Sequence, residues 1–330
     1  MSSFKLEVCV DSFESFLAAT VDQGCADRIE LCSALTEGGL TPSHGLITAT
    51  CRRAIASTTT TPFPPIHVLI RPRPGDFLYT DHELEIIKTD ILTAATAGAH
   101  GIVIGFLTPH AHINTDLTRY FVDLCSALRL DFTFHRAFDV VRDQHQALSA
   151  LLDCHVPRVL TSGGHPTSAF HAVDALAQLV EEGGGKISVM PGLGVTEGNA
   201  ATIVECTGCR EIHGSFRQTV PTRMQYIHPR VHFSGGSGGE ALMFGDDIND
   251  NTDTNTNTNT KNENNQAHSK TGGGVSAKAK SKSKSKSKES LLHPQITDQW
   301  NRRVADTEVI RRVKAACLGV VERQEEQGMR

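Results

Sequence analysis

The stretch ADRIELCSALTEGGLTPS, residues 26–43, decides the fold. Its first part, residues 27–32, alternates as a strand does: Arg28, Glu30 and Cys32 fall on one parity, Ile29 and Leu31 on the other. Its second part, TEGGLTPS, is a glycine-broken loop that runs into a helix start at Pro42 and Ser43. A charged pair and a thiol on one strand face, ending at such a loop, point to a site rather than to plain core. The strand before it, residues 5–10, repeats the pattern, with Glu7 and Cys9 on one parity against Leu6, Val8 and Val10.

Outward from this stretch, strand-like and helix-like segments alternate up to about residue 215. Further strands are expected at 66–71, 100–106, 131–136, 158–161, 186–190 and 210–213. Between them run amphipathic helical patterns, such as Leu84, Ile87 and Ile91, or Leu117, Phe121, Leu124 and Leu128. The sixth helix is expected to carry Phe170, Val173, Leu176 and Leu179, and the seventh to run from Thr196 to about Glu205. Eight βα units of ordinary length predict a (β/α)8 TIM barrel of the α/β class. A doubly wound sheet is the competing architecture, but the first loop lacks the G-x-G-x-x-G phosphate fingerprint of a dinucleotide-binding unit.

The composition bounds the function. A content of 39% hydrophobic residues in a chain of 330 supplies an ample core. A net charge of −5 gives no reason to expect nucleic acid as a partner. No apolar run reaches the ~18 residues of a membrane span, so no membrane partner is expected. The opening MSSFKLEVCV lacks the apolar stretch of a signal peptide. The nine cysteines follow no framework spacing, which reads as reduced thiols in the cytoplasm.

Beyond residue 233 the pattern breaks. Residues 234–240 are rich in Gly and Ser, 251–265 in Asn, Thr and Asp, and 277–288 read AKAKSKSKSKSK. Such segments bury too little apolar surface to offset their ordering entropy, so residues 234–290 are expected to be a disordered insertion. The barrel would then occupy residues 1–233, and residues 291–330 would supply its eighth helix, with Val304, Val309, Ile310, Val313, Cys317 and Val320 on one face. The lysine tract is either a solvated linker or a contact for anionic surfaces; a localisation signal would add the nucleus to the expected compartments.

The segments LEVCVDSFES, GCADRIELCSALTEGGLTPS, IRPRPGDFLYTD, TFHRAFD, RVLTSGG, MPGLGV and EIHGS occur in an order and spacing that resemble the CutC copper homeostasis family. The resemblance spans about residues 5–226. It implies a cytosolic (β/α)8 barrel, often a homo-oligomer, with copper as cofactor or cargo; it defines no reaction, so whether the protein is an enzyme stays open. The 234–290 insertion, the Thr/Pro-rich 57–65 connector and the Cys206-Thr-Gly-Cys209 motif depart from the family pattern.

In such a barrel, function sits at the C-terminal ends of the strands. Cys9 and Cys32 end neighbouring strands about 4.8 Å apart, on the parity of the polar residues. Two thiolates suit Cu(I), which prefers soft ligands; the alternative is a pair of small buried hydrophobes. A second constellation comprises Glu7, Glu30, Arg71, His135 and His213, with Arg136 and Asp139 following on the fifth strand's loop. If they converge, Glu30 would be a general base, Arg71 a clamp for an anionic group and His135 a proton shuttle. The alternative is a structural ion-pair layer. Third, Gly192, Gly194, Gly214 and Ser215 lie where many barrels cradle phosphate on backbone N–H groups, unless they only make tight turns. Two functions therefore compete for this site, Cu(I) binding or an enzyme acting on a small anionic ligand, beside a storage or assembly role in which the oligomer and not the pocket matters. Cys206 and Cys209 lack the second pair of a zinc motif, and His110 and His112 read as ordinary loop histidines.

Overall fold

Eight short parallel strands alternate with helices along the chain, and the strands run side by side in the order β7-β6-β5-β4-β3-β2-β1-β8. They are β1 (Lys5–Val10), β2 (Arg28–Leu31), β3 (Ile66–Leu69), β4 (Gly101–Ile104), β5 (Asp131–Phe134), β6 (Arg158–Thr161), β7 (Ser188–Pro191) and β8 (Glu211–Gly214). Because β7 and β8 also lie against one another, the sheet curls into a nearly closed (β/α)8 barrel, as the alternation of the sequence predicts. The structure, a computed structural model, describes residues 4–20, 26–56, 63–228 and 301–328. The insertion expected at 234–290 lies outside the described residues.

The outer ring consists of α1 (Phe13–Thr20), α2 (His44–Ile55), α3 (Asp81–Ala97), α4 (Thr115–Ala127), α5 (Gln144–Asp153), α6 (Val173–Gly183), α7 (Ala200–Thr207) and α8 (Thr307–Glu326). Local chemistry sets their starts. Ser43 accepts from the Leu46 N–H at the head of α2, and Thr80 and Glu83 form a reciprocal capping box on α3. Asp306 caps α8 by accepting from the Glu308 and Val309 N–H groups. The buried stripe of α8 is Ile310, Val313, Cys317, Val320 and Val321, a spacing that keeps one helical face on the barrel. Each such aliphatic side chain contributes about 1.5–3 kcal/mol on burial. Lys314 on α8 also meets Asp27 at 2.7 Å, and Asp27 in turn accepts the Leu6 N–H at 2.9 Å. The eighth helix is thereby tied to the start of β1 and β2.

Three details differ from the sequence expectation. Val304 is not on the last helix: Arg302–Ala305 form β10, which pairs antiparallel with β9 (Arg217–Val220) just beyond β8. That pairing joins residues 80 and more positions apart, so no local pattern announces it. Phe170 lies in a short 3-10 turn, Ala169–Ala172, and is 39% exposed instead of packing with α6. Finally, α7 begins at Ala200, because residues 196–199 turn on the Asn199 side chain, which accepts the Thr196 N–H at 2.8 Å.

Residues 1–222 and 301–330 form one compact unit; of the second, 223–300, residues 223–228 are described and hold no helix or strand. Among the described residues no helix is long and apolar enough to cross a membrane.

Candidate functional site

Parallel register decides what the inward side chains meet. β1 pairs with β2 so that Glu7 stands beside Arg28 and Cys9 beside Glu30, and with β8 so that Glu7 stands beside His213. Alternate residues of neighbouring strands then stack in layers inside the barrel. In the lower layer, Arg28 donates to both Glu7 and Glu211. Arg158 donates to Glu211 at 2.7 Å and to Asp131 at 2.9 Å. Burial works against an ionised Glu7, yet the Arg28 guanidinium and then His213 hold its carboxyl well below the usual range. Glu211 is likewise buried but kept low by Arg28 and Arg158.

The layer above is differently balanced. The Cys9 thiol, a Glu30 carboxylate oxygen and a His213 ring nitrogen lie within 4.8 Å of one another. His213 Nδ1 is 2.7 Å from Glu7 Oε1, which fixes that nitrogen as the donor and leaves Nε2 turned toward Glu30, at 3.8 Å. Burial disfavours a charged imidazole here, but Cys9, Glu7 and Glu30 together outweigh it and raise His213 well above the ordinary histidine range. Glu30 is raised, chiefly by burial. Cys32 donates its S–H to Glu30 at 3.3 Å, and burial followed by the Glu30 charge pushes this thiol well up. Cys32 is therefore not one of the three converging donors; it braces Glu30 from the side.

A cavity of about 270 Å³ opens above this layer, with Cys9, Glu30, Cys32 and His213 among its lining residues. Arg71, His135, Arg136 and Arg217 line it as well. His135 is seated over Gly105, where an added Cβ would fall 2.6 Å from its Nδ1. Its Nδ1 accepts the Ala137 N–H at 3.2 Å, and Nε2 has no partner among the described residues. Burial, then Arg71, lowers its pKa to about 3. Burial therefore favours the neutral His135 ring, with Nδ1 as acceptor and an N–H at Nε2. Arg71 donates to the carbonyls of Glu37, Gly39 and Gly75 at 2.8–3.0 Å and stacks over Phe77, 5.1 Å from the ring centroid. It thus joins the loops after β2 and β3.

Other expected site residues lie elsewhere. Glu7 is sealed beneath the cavity. Asp139 does not line it: its oxygens accept from Thr161 at 2.6 Å, Ser162 at 2.9 and 3.0 Å, and Arg136 at 2.7 Å, so it fastens the 3-10 turn Arg136–Val140 to the loop after β6. Gly192 is spent on packing. Its N–H donates to Thr161 at 2.9 Å, and a Cβ there would fall 2.6 Å from Leu160 and 3.2 Å from His213. Gly194, Gly214 and Ser215 do line the cavity. Cys206 is exposed on α7 and Cys209 is buried. Sequence reasoning gave no role to Arg158 and Glu211, and none to Arg28 beyond its place with Glu30 on one strand face. It also missed Arg217, which the β9–β10 pairing brings to the cavity and no local signal marks.

Comparison with known proteins adds the lineage. The sequence profile of the CutC family matches residues 4–218. The chain belongs to the CutC family. A human protein named copper homeostasis protein cutC homolog is 44% identical over 230 residues, 70% of this chain and 80% of the human one. A CutC family protein of Vibrio vulnificus is 42% identical over 225 residues, covering 68% and 86% of the two chains. A CutC of Streptococcus agalactiae, known from its crystal structure, superposes with a TM-score of 0.57 at 30% identity, over 64% of this chain and 98% of that one. The family match contains every strand of the barrel and Cys9, Glu30, Cys32 and His213; it ends within β9, short of β10 and α8.

Proposed function

We propose that the protein serves copper homeostasis by binding one Cu(I) ion at the floor of the cavity, through Cys9 and His213. The observation that carries this reading is the convergence of the Cys9 thiol, the Glu30 carboxylate and the His213 ring within 4.8 Å, with Glu7 gripping His213 Nδ1 from behind. A carboxylate on the far nitrogen is the arrangement that orients metal-binding histidines. It leaves Nε2 as the ligand atom. A thiolate and an imidazole form a soft pair suited to Cu(I). Glu30, a hard oxygen donor, fits better as the acceptor of the proton that His213 must release when metal takes Nε2, since burial already raises its affinity for protons. Cys32 then stands as a reserve thiol beside Glu30, not as the primary ligand expected from strand parity alone.

Cys9, Cys32 and the other described cysteines are free thiols, as a cytoplasmic setting requires. We take the protein to act there as a homo-oligomer; a single-chain mass by light scattering would remove that second part.

Anaerobic titration against a competing Cu(I) chelator tests the site. The expected result is one equivalent bound, with Cys9→Ser weakening affinity about 100-fold, or ~2.7 kcal/mol. Equal binding by Cys9→Ser and the parent would sink the proposal.

A further inference from the structure

The mouth of the cavity is electrostatically unlike its floor. Three arginines, Arg71, Arg136 and Arg217, line it. Arg136 is answered by Asp139 at 2.7 Å. Arg71 is not answered: among the described residues its guanidinium meets carbonyl oxygens and an aromatic face, no carboxylate, although the residue is only 7% exposed. Its Nε has no partner. Arg217 reaches one carboxylate, Asp11, at 3.4 Å, and its Nε is also without a partner. His135, 5% exposed, adds a third buried nitrogen lacking an acceptor. A buried cation facing no counter-charge is unfavourable by several kcal/mol unless something else supplies the negative charge.

Backbone donors lie on the same wall. The Gly194, Val195 and Ser215 N–H groups donate to no described protein group, whereas the Leu193 and Gly194 carbonyls are tied back to Ala169, Ser168 and Asn199. Those two carbonyls are engaged, whereas the three N–H groups have no acceptor among the described residues. The excess is of donors and positive charge, and it lies above the thiol layer, not within it.

We propose that this mouth binds the oxyanion group, carboxylate or phosphate, of a small metabolite, with Arg71 and Arg217 as the charged partners and Gly194, Val195 and Ser215 as backbone donors. Planar guanidinium groups take either oxyanion in paired hydrogen bonds. The volume of about 270 Å³ lies just under the usual range for ligand pockets, which restricts the occupant to a molecule well below drug size. Arg217 is the distinctive member. It sits on β9 opposite Ala305 of β10, so the return of the chain after residue 300 holds it in place. The site needs no metal and does not depend on the copper reading.

The test uses the metal-free full-length protein, with inorganic phosphate and a series of small mono- and dicarboxylates as probes. Thermal shift and calorimetry are read together. A saturable rise in Tm with at least one probe is expected. Arg217→Met is expected to weaken that binding at least tenfold, and Arg217→Lys to restore part of it. Arg71→Met should abolish it, but Arg71 also ties two loops, so the Arg217 pair decides. Preference among the probes assigns the oxyanion as phosphate or carboxylate. No saturable shift with any probe overturns the proposal, as does a shift that Arg217→Met leaves intact. Failure here with retained Cu(I) binding removes the mouth site alone; loss of Cu(I) binding with retained oxyanion binding removes the copper reading alone.

Discussion

Two layers of the same barrel use the same residue types to opposite ends. In the lower layer each charge is answered: Arg28 spans Glu7 and Glu211, and Arg158 spans Glu211 and Asp131. In the upper layer and the mouth above it, charges and donors outnumber their partners. Glu30 is raised by burial, Cys32 has only Glu30 to donate to, and Arg71 and His135 keep unpaired nitrogens. The layers share strands β1, β2 and β8 and differ by two residues of register. A buried ion pair that is complete holds a packing arrangement together; a buried group left incomplete calls for an explanation, and at the wall of a cavity a bound ligand supplies one. The contrast separates structural polarity from functional polarity where burial alone cannot, since Glu7, Arg28 and Glu211 are as buried as Cys9, Glu30 and His213.

The sharpest way to break this comparison is to remove one charge from the lower layer. Arg28→Met leaves Glu7 and Glu211 buried without their shared partner, and the expected loss is about 3–5 kcal/mol of unfolding free energy. Urea denaturation measures it. A variant as stable as the parent would mean that the lower layer holds nothing together, and the distinction between layers would fall.

Histidine 67 offers a smaller, pH-resolved version. It is buried on β3, its ring over Gly101, and burial followed by Arg28 lowers its pKa to about 3. Because the folded pKa lies below the ordinary value of 6.5, the unfolded chain takes up the proton first as pH falls. The contribution is therefore fully present above about pH 6.5 and is lost as pH drops toward 3. In between, one proton changes stability by about 1.4 kcal/mol per pH unit. His135 adds a second slope of the same sign. Urea unfolding at pH 6, 5 and 4 should show His67→Gln with a slope shallower by about one proton; an unchanged slope would mean that His67 is charged in the folded state.

Much of this was legible in the chain. Alternation in residues 5–10 and 27–32 placed Glu7, Cys9, Arg28, Glu30 and Cys32 on one face, and the structure turns that face inward. What alternation cannot supply is register. Parity grouped Cys9 with Cys32, whereas pairing sets Cys9 beside Glu30 and Glu7 beside His213, so the converging donors come from three strands. Glycines were equally ambiguous: Gly192 and Gly194 occupy the same short motif, yet one is consumed by strand packing and the other borders the cavity. Arg217 was out of reach, since its place depends on a partner strand 80 residues and more away.

The smallest expected effect sharpens the comparison most. Glu30→Gln keeps the shape of the side chain and removes its charge. In the lower layer such a change would strand a buried guanidinium; here no arginine contacts Glu30, whose pKa burial raises. Stability should therefore change by less than about 1 kcal/mol, in either direction. Cu(I) affinity should fall about tenfold, ~1.4 kcal/mol, because the proton leaving His213 Nε2 loses the carboxylate that faces it. The loss should shrink as pH rises, since released protons then pass to solvent without help. Glutamine retains an oxygen that could ligate a metal but has no basicity. A large, pH-independent loss would make Glu30 a ligand in its own right. An unchanged affinity would leave Cys9 and His213 as the whole of the copper site.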